Sequence, residues 1–264
     1  AILASTPNMM LTPIMAKGTV PASRDCSMLN LEELDCQKTH MGELILRRRR
    51  ILSLDGREVY EVKLGDEYLM SSLFHDSEVA LADIGLGALG GAGWNVVVGG
   101  LGLGYTAAAA LAFRQVKRLV VVEALAPVID WHRRELVPNG KTLTLDGRCA
   151  YQHADFFDLV RGDGFDPEEK GARFDAILLD IDHTPGFWLH PSHADLYSEA
   201  GMRRLKSFLK PHGIFALWSN DPPEDAFVDL LSAVFASAEG HTVQFDNPLL
   251  RSVTANGIYL ARCG

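Results

Sequence analysis

The chain has 264 residues, 47% hydrophobic and 22% charged, a composition that suits one large α/β domain with a small appendage. Its formal net charge of −9 disfavours a general nucleic-acid-binding role, which needs a basic face for phosphates. The four cysteines (Cys26, Cys36, Cys149, Cys263) are scattered with no C-x-x-C pair, so neither a disulfide framework nor a structural zinc site is expected.

Residues 1–41 read as an N-terminal tail. They carry no charge before Lys17 and lack the basic start of a secretory signal, so a cytoplasmic location is expected. Residues 42–72 read as a small antiparallel β domain. Glu43–Leu54 and Arg57–Leu64 are strand-like runs joined by Asp55-Gly56, a strong hairpin signal, and Gly65-Asp66 turns into Glu67–Ser71. The basic run Arg47 to Arg50 lies within the first strand, where alternation sends two arginines to each side; a solvated strand edge is the expectation. Asp76–Leu89 has helical spacing. From Ile84 to Phe113 there is no charge, enough residues to span a bilayer, but nine glycines divide the stretch into helix end, turn, strand, glycine loop and helix. No membrane span is expected.

Residues 73–264 then alternate strand and helix. Strands are predicted at Asn95–Val98, Arg118–Val122, Cys149–His153, Phe174–Leu179 and Ile214–Trp218. Helices are predicted near Thr106–Arg114, Ala126–Leu136, Ser192–Lys210 and Glu224–Ala236, with a hairpin-like insert at Thr142–Gly147. Thr242–Phe245 and Gly257–Ala261 follow each other with no helix between, so they pair antiparallel. The pattern is α/β: a seven-stranded, doubly wound Rossmann-like sheet with one antiparallel strand.

Ligands on such sheets bind at the carboxyl ends of the strands. The first such end is Gly99-Gly100-Leu101-Gly102-Leu103-Gly104, where Gly100, Gly102 and Gly104 let a ligand approach the backbone at a helix N-terminus. Residues Gly102 to Ala107 also fit the GxGxxA form of nicotinamide dehydrogenases. Glu123 ends the second strand and can accept hydrogen bonds from both ribose hydroxyls. Asp155 follows the third strand, placed to hold an adenine amino group, with Phe156 expected to cover the ring face. Acids after strands two and three together indicate S-adenosylmethionine. Asp180, Asp182 and His183 follow the fourth strand, beside the reacting group, as candidate catalytic residues. His190 and His193 are expected in a solvated loop, and the spacing of the histidines matches no common metal motif.

This order of parts resembles the spermidine synthase family of S-adenosylmethionine-dependent methyltransferase-fold proteins, from about Gly42 to the C-terminus. The resemblance implies a small N-terminal β domain that builds a homodimer, an adenosyl donor, and a Gly-Gly-Gly-Asp-Gly-Gly loop followed after strand four by Asp-x-x-Asp. The departures lie at the amine-binding acids. The loop Asp falls at Gly102, the second Asp of Asp-x-x-Asp falls at His183 with Asp182 one place early, and a Tyr-Gln pair falls at Asp76-Ser77. A doubly charged diamine wants several carboxylates, so these changes argue against putrescine. An acid-free glycine loop suits intact S-adenosylmethionine, with its carboxylate, over the decarboxylated form. Methyl transfer to a small-molecule amine or related metabolite is therefore the leading expectation, without a metal. Aminopropyl transfer to an acceptor other than putrescine is the alternative, and a non-catalytic cofactor-binding protein the second. Tyr68, His75, Asp76 and Trp188 are candidates to line the acceptor pocket.

Overall fold

A computed structural model describes residues 30–264. The first 29 residues of the tail, Cys26 among them, lie outside the described residues. The small sheet begins before Gly42. Its strands are β1 (Leu31–Thr39), β2 (Gly42–Ile51), β3 (Arg57–Leu64) and β4 (Glu67–Ser71), paired antiparallel in that order. The Asp55-Gly56 turn is present, preceded by a 3-10 turn at Leu52–Leu54, and Asp55 adopts the left-handed conformation (φ 54°). β1 is polar and irregular, with a register shift between Glu33 and Asp35. What ties it down is tertiary: the indole N–H of Trp131 donates to Asp35 Oδ2 at 2.6 Å.

The arginine run is not on a sheet edge, because β2 is flanked by β1 and β3. Alternation does divide it. Arg47 and Arg49 reach the two oxygens of Glu61, each through Nε at 2.7 Å, whereas Arg48 pairs with Glu32 and Glu58. Glu61 is only 3% exposed, so two guanidinium groups replace the water it loses. Truncation (E61A) removes two charged hydrogen bonds and should cost about 1.5–3 kcal/mol, less than two full ones because Arg49 is 37% exposed and screened by water. A lower urea midpoint with an unchanged slope would confirm it; an unchanged midpoint would show that solvent screens both arginines.

The large domain follows as α1 (Asp76–Gly87), β5 (Trp94–Gly99), α2 (Tyr105–Ala112), β6 (Val116–Glu123), α3 (Ala126–Arg133), α4 (Gly140–Leu145), β7 (Cys149–His153), α5 (Phe156–Arg161), β8 (Phe174–Leu179), α6 (Glu199–Ser207), β9 (Leu209–Ser219), α7 (Asp225–Val234), β10 (Ser237–Asn247) and β11 (Ser252–Arg262). The sheet order is β10-β11-β9-β8-β5-β6-β7, with β11 antiparallel to both its neighbours and the other pairings parallel. The predicted seven-stranded sheet with one reversed strand is present.

Strand alternation divides the core. Val96, Val98, Leu119, Val121, Ala176 and Leu178 pack with α1, α2, α3 and the small sheet. Val97, Val120, Val122, Ile177 and Leu179 pack with α5, α6 and α7. The uncharged stretch from Ile84 to Phe113 resolves into the end of α1, β5, the glycine loop and α2, and no helix among the described residues is long and apolar enough to cross a membrane.

Two elements differ from expectation. Thr142–Gly147 alternates polar and apolar residues like a hairpin, yet Gly140–Leu145 is helix. Leu143 is fully buried beneath Gly104, and Thr144 Oγ1 donates back to the carbonyl of His132 at 3.2 Å. Burial of one leucine outweighs a four-residue alternation. The long helix expected over Ser192–Lys210 is instead a 3-10 turn at Pro191–Asp195 and then α6. Ser198 restarts the helix by accepting from Gly201 N at 3.1 Å, an N-cap inside the predicted span.

Candidate functional site

In the parallel sheet, Gly99 lies in register with Val122 and Leu179, and Glu123 with His153. The residues that follow these strand ends therefore share one edge of the sheet, where Gly100, Glu123, Asp155 and Asp180 line a cavity of about 840 Å³. That size is in the range of small-molecule and cofactor sites. Its roof is the small sheet, through Leu44, Val62, Leu64, Leu69 and Met70.

Glu123 binds the glycine loop as well as facing the cavity. Its Oε2 accepts from Leu101 N at 3.1 Å and its Oε1 from Leu125 N at 2.8 Å. Burial raises its carboxyl above the usual range, and the backbone N–H groups pull the other way. Asp155 caps α5, with Oδ1 accepting from Phe157 N at 2.7 Å and Asp158 N at 3.1 Å, and among the described residues Oδ2 has no partner. Phe156 differs from expectation. It borders the cavity but is 1% exposed, packed against Gly99 with its ring centre 4.9 Å from that of Phe165. Its ring is part of the hydrophobic core, so it supplies floor and not a face to stack on.

Gly100 has φ 92°, and a Cβ there would stand 2.1 Å from the backbone oxygen of Asp180. Only glycine allows the loop after β5 to pass so close to the loop after β8. Leu69, Met70, Gly100, Gly102, Asp180, Ile181 and Leu189 also line a second chamber of about 310 Å³, so the two cavities share a boundary. The second chamber adds Ser77, Glu78, Tyr105, His183, Trp218 and Asn256.

Asp180 is half-buried, and its Oδ2 accepts from Thr106 Oγ1 at 2.7 Å. Burial pushes its carboxyl up to about 6, partly opposed by the threonine hydroxyl. Glu78, which sequence spacing presents only as an acid in the first turn of a helix, lines the same chamber. Burial and then the nearby Asp180 charge push it up to about 8. Two half-buried carboxyls that repel each other each hold a proton more tightly than they would in water. Of the two, Glu78 is pushed further and so keeps its proton to the higher pH. Behind Glu78, the Trp218 indole N–H donates to Ser77 Oγ at 2.9 Å and Asn256 Nδ2 donates to the Asn220 carbonyl at 2.6 Å.

Asp180 and His183 thus meet in one chamber, and Asp182 does not join them. Asp182 is 1% exposed and lines neither cavity. It accepts from Leu189 N, His193 Nδ1 and the Tyr197 hydroxyl, each at 2.8 Å. Of the two histidines expected in solvent, His190 is exposed, but His193 is buried against the larger cavity.

No family model and no curated protein matches the chain by sequence. Solved structures do match. Spermidine synthase from Thermotoga maritima superposes with a TM-score of 0.66 at 18% identity, covering 88% of this chain and 73% of that one. Spermidine synthase in complex with the transition-state analogue AdoDATO gives 0.67 at 17% identity, covering 88% and 74%. Human methyltransferase-like protein 13 in complex with SAH gives 0.50 at 19% identity, covering 71% and 79%.

The fold is that of the spermidine synthases.

Within the spermidine synthase fold, the acid missing at Gly102 has a structural counterpart. A Cβ at Gly102 would meet Met70 Sδ at 2.7 Å, and φ is 48°. The thioether of β4 occupies the space a longer side chain would need. The four predicted acceptor-pocket residues line neither cavity. Tyr68 is 57% exposed beside Arg47 and Lys63 on the outer face of the small sheet. His75 stacks on Tyr105 with ring centres 4.1 Å apart, and Asp76 is exposed at the start of α1. Trp188 donates to the Pro185 carbonyl at 2.8 Å within its own loop. Position along the chain puts them near the site, but side-chain direction turns them away. In their place stand Glu78, Trp218 and Asn256. A glutamate two residues into a helix after a β domain is the available signal for the first.

Proposed function

We propose that the protein is an S-adenosylmethionine-dependent transferase that moves a methyl group to a small amine or related metabolite. The observation that carries this reading is the boundary between the two cavities, where one carboxylate, Asp180, stands between a nucleoside-sized chamber and a smaller one holding Glu78. The residues fit an adenosyl donor. Glu123 offers oxygens for ribose hydroxyls, Asp155 keeps Oδ2 free for a base amino group, and Gly100 leaves the loop backbone bare. The neighbours' complexes, one with AdoDATO and one with SAH, support the same class of donor.

When bound, the donor supplies an electrophilic methyl carbon on sulfonium sulfur. The protein's part is positional: the small chamber, lined by Glu78, Asp180 and His183, would hold the amine against the boundary with the donor chamber. Asp180 accepts the proton released by the new secondary or tertiary amine, and Thr106 keeps its oxygen aimed. Glu78, protonated, adds polarity without a second full charge.

The choice between methyl and aminopropyl transfer rests on Gly102 and Met70. With no acid in the loop, nothing there replaces a donor carboxylate, whereas the N-terminus of α2 favours one. Calorimetric titration with S-adenosylmethionine and its decarboxylated form tests this directly. The intact donor should bind more tightly, and the double variant G102D/M70A, which restores the acid and vacates its space, should reverse the preference by about tenfold, one charged hydrogen bond's worth. Preference of the wild-type protein for the decarboxylated donor would sink methyl transfer. It would favour aminopropyl transfer, the reading that the paired acids Asp180 and Glu78 support. Tight donor binding with no turnover on any amine would mean a cofactor-binding protein.

A further inference from the structure

We propose that His193, locked by Asp182, reads the base of the donor and makes the site selective for a 6-amino over a 6-oxo purine; this rests on the larger cavity being the donor site. Asp182 is 1% exposed and accepts from three donors, the Leu189 amide, His193 Nδ1 and the Tyr197 hydroxyl, each at 2.8 Å. A carboxylate only accepts, so the imidazole donates through Nδ1, and in the neutral ring Nε2 carries the lone pair. The ring is clamped face-on against Phe157, with centres 3.6 Å apart and planes within 11°. Its side chain is only 8% exposed, yet it lines the cavity, and among the described residues Nε2 has no hydrogen-bond partner.

The side chain is nine-tenths buried but its free nitrogen opens onto the cavity, so a donor held there would complete its hydrogen bonding. Phe157 ties His193 to Asp155, whose Oδ2 likewise has no partner among the described residues. Two acceptors therefore border the same end of the cavity, and the exocyclic amino group of adenine carries two hydrogens. Hypoxanthine or guanine would bring a carbonyl oxygen to that end and face both acceptors with a third. The network behind His193 fixes its orientation: Asp182 sets the tautomer and Tyr197 holds Asp182, as outer partners do for other functional imidazoles.

The test titrates the full chain with S-adenosylhomocysteine and S-inosylhomocysteine. Wild-type protein should prefer the adenosyl compound strongly. His193→Phe, which keeps the stacking on Phe157 and removes both ring nitrogens, should lose about tenfold of that preference, one buried hydrogen bond's worth, with the inosyl affinity unchanged. His193→Gln should recover part of it. An undiminished preference in His193→Phe would overturn the inference while leaving the donor site intact. If wild-type protein binds neither nucleoside, the inference falls together with the donor reading. Independently of any variant, nitrogen-15 NMR of the wild-type imidazole should show Nε2 moving as S-adenosylhomocysteine saturates the site, and a stationary Nε2 resonance would also overturn it.

Discussion

Asp180→Asn should lower turnover by about 10²–10⁴-fold, the usual contribution of a positioned proton acceptor, while changing donor affinity far less. The same variant should be more stable than the wild-type protein above neutral pH. Asp180 and Glu78 are raised by burial to about 6 and about 8, well above the values of an unfolded chain. Between the unfolded carboxylate range near pH 4 and those raised values, the folded state holds protons that the unfolded state has released. Stability therefore falls as pH rises across that window, and is greatest below it. Replacing one partner by a neutral amide removes the repulsion and flattens the dependence. The amide oxygen introduced by D180N would still accept from Thr106, so the fold loses no hydrogen bond. The expected gain at pH 8.5 is about 2–4 °C in Tm, the shift that 1 kcal/mol produces in a domain of this size. Thermal melts at pH 5.5 and 8.5, together with single-turnover rates, check both halves. A variant that keeps its turnover, or that is destabilised at pH 8.5, would mean the pair is neither the proton acceptor nor the source of strain. Stability given up at a reacting centre is common where activity needs an uncomfortable charge.

The second large effect is expected at Glu123. Truncation to alanine (E123A) should weaken donor binding by about 10²–10⁴-fold, because two charge-assisted hydrogen bonds to the ribose hydroxyls are worth about 1.5–3 kcal/mol each. It also strips the partner from the Leu101 and Leu125 amides, so the glycine loop loosens at its start. Glutamine in the same place should lose less, since one oxygen remains to accept. Calorimetry with S-adenosylmethionine measures the affinity, and near-ultraviolet circular dichroism separates a lost contact from a lost fold. An affinity within about threefold of wild type would remove Glu123 from the donor site and undo the assignment of the cavity.

Glu123 and Glu78 illustrate how differently acids can be written in a sequence. Glu123 closes an apolar strand, and parallel sheets bring the ends of their strands to one edge, so strand periodicity alone locates it beside Gly100, Asp155 and Asp180. Glu78 gives no such sign. It sits in α1 among alanines and aliphatic residues, and only the packing of that helix against α2 and β9 brings it to Asp180. Met70 is likewise an ordinary strand residue until the small sheet folds over the glycine loop and fills the space at Gly102. His193 shows the reverse case: its residue type is conspicuous, but its burial and its hold by Asp182 are not legible in a run of polar loop residues.

By itself the sequence determined the elements that repeat a simple period: the hairpins of the small sheet, the alternating strands of the large one, the reversed final strand, and with them the sheet edge that the cavities line. Periodicity is a local property, and a parallel sheet converts it into position. Only the tertiary structure decided which polar side chains face the cavities, that β1 is tied to α3 through Asp35 and Trp131, and that Leu143 makes a helix of a hairpin-like segment. Those outcomes depend on contacts between residues far apart in the chain, where side-chain direction and the cost of burying an unpaired polar group outweigh any local preference.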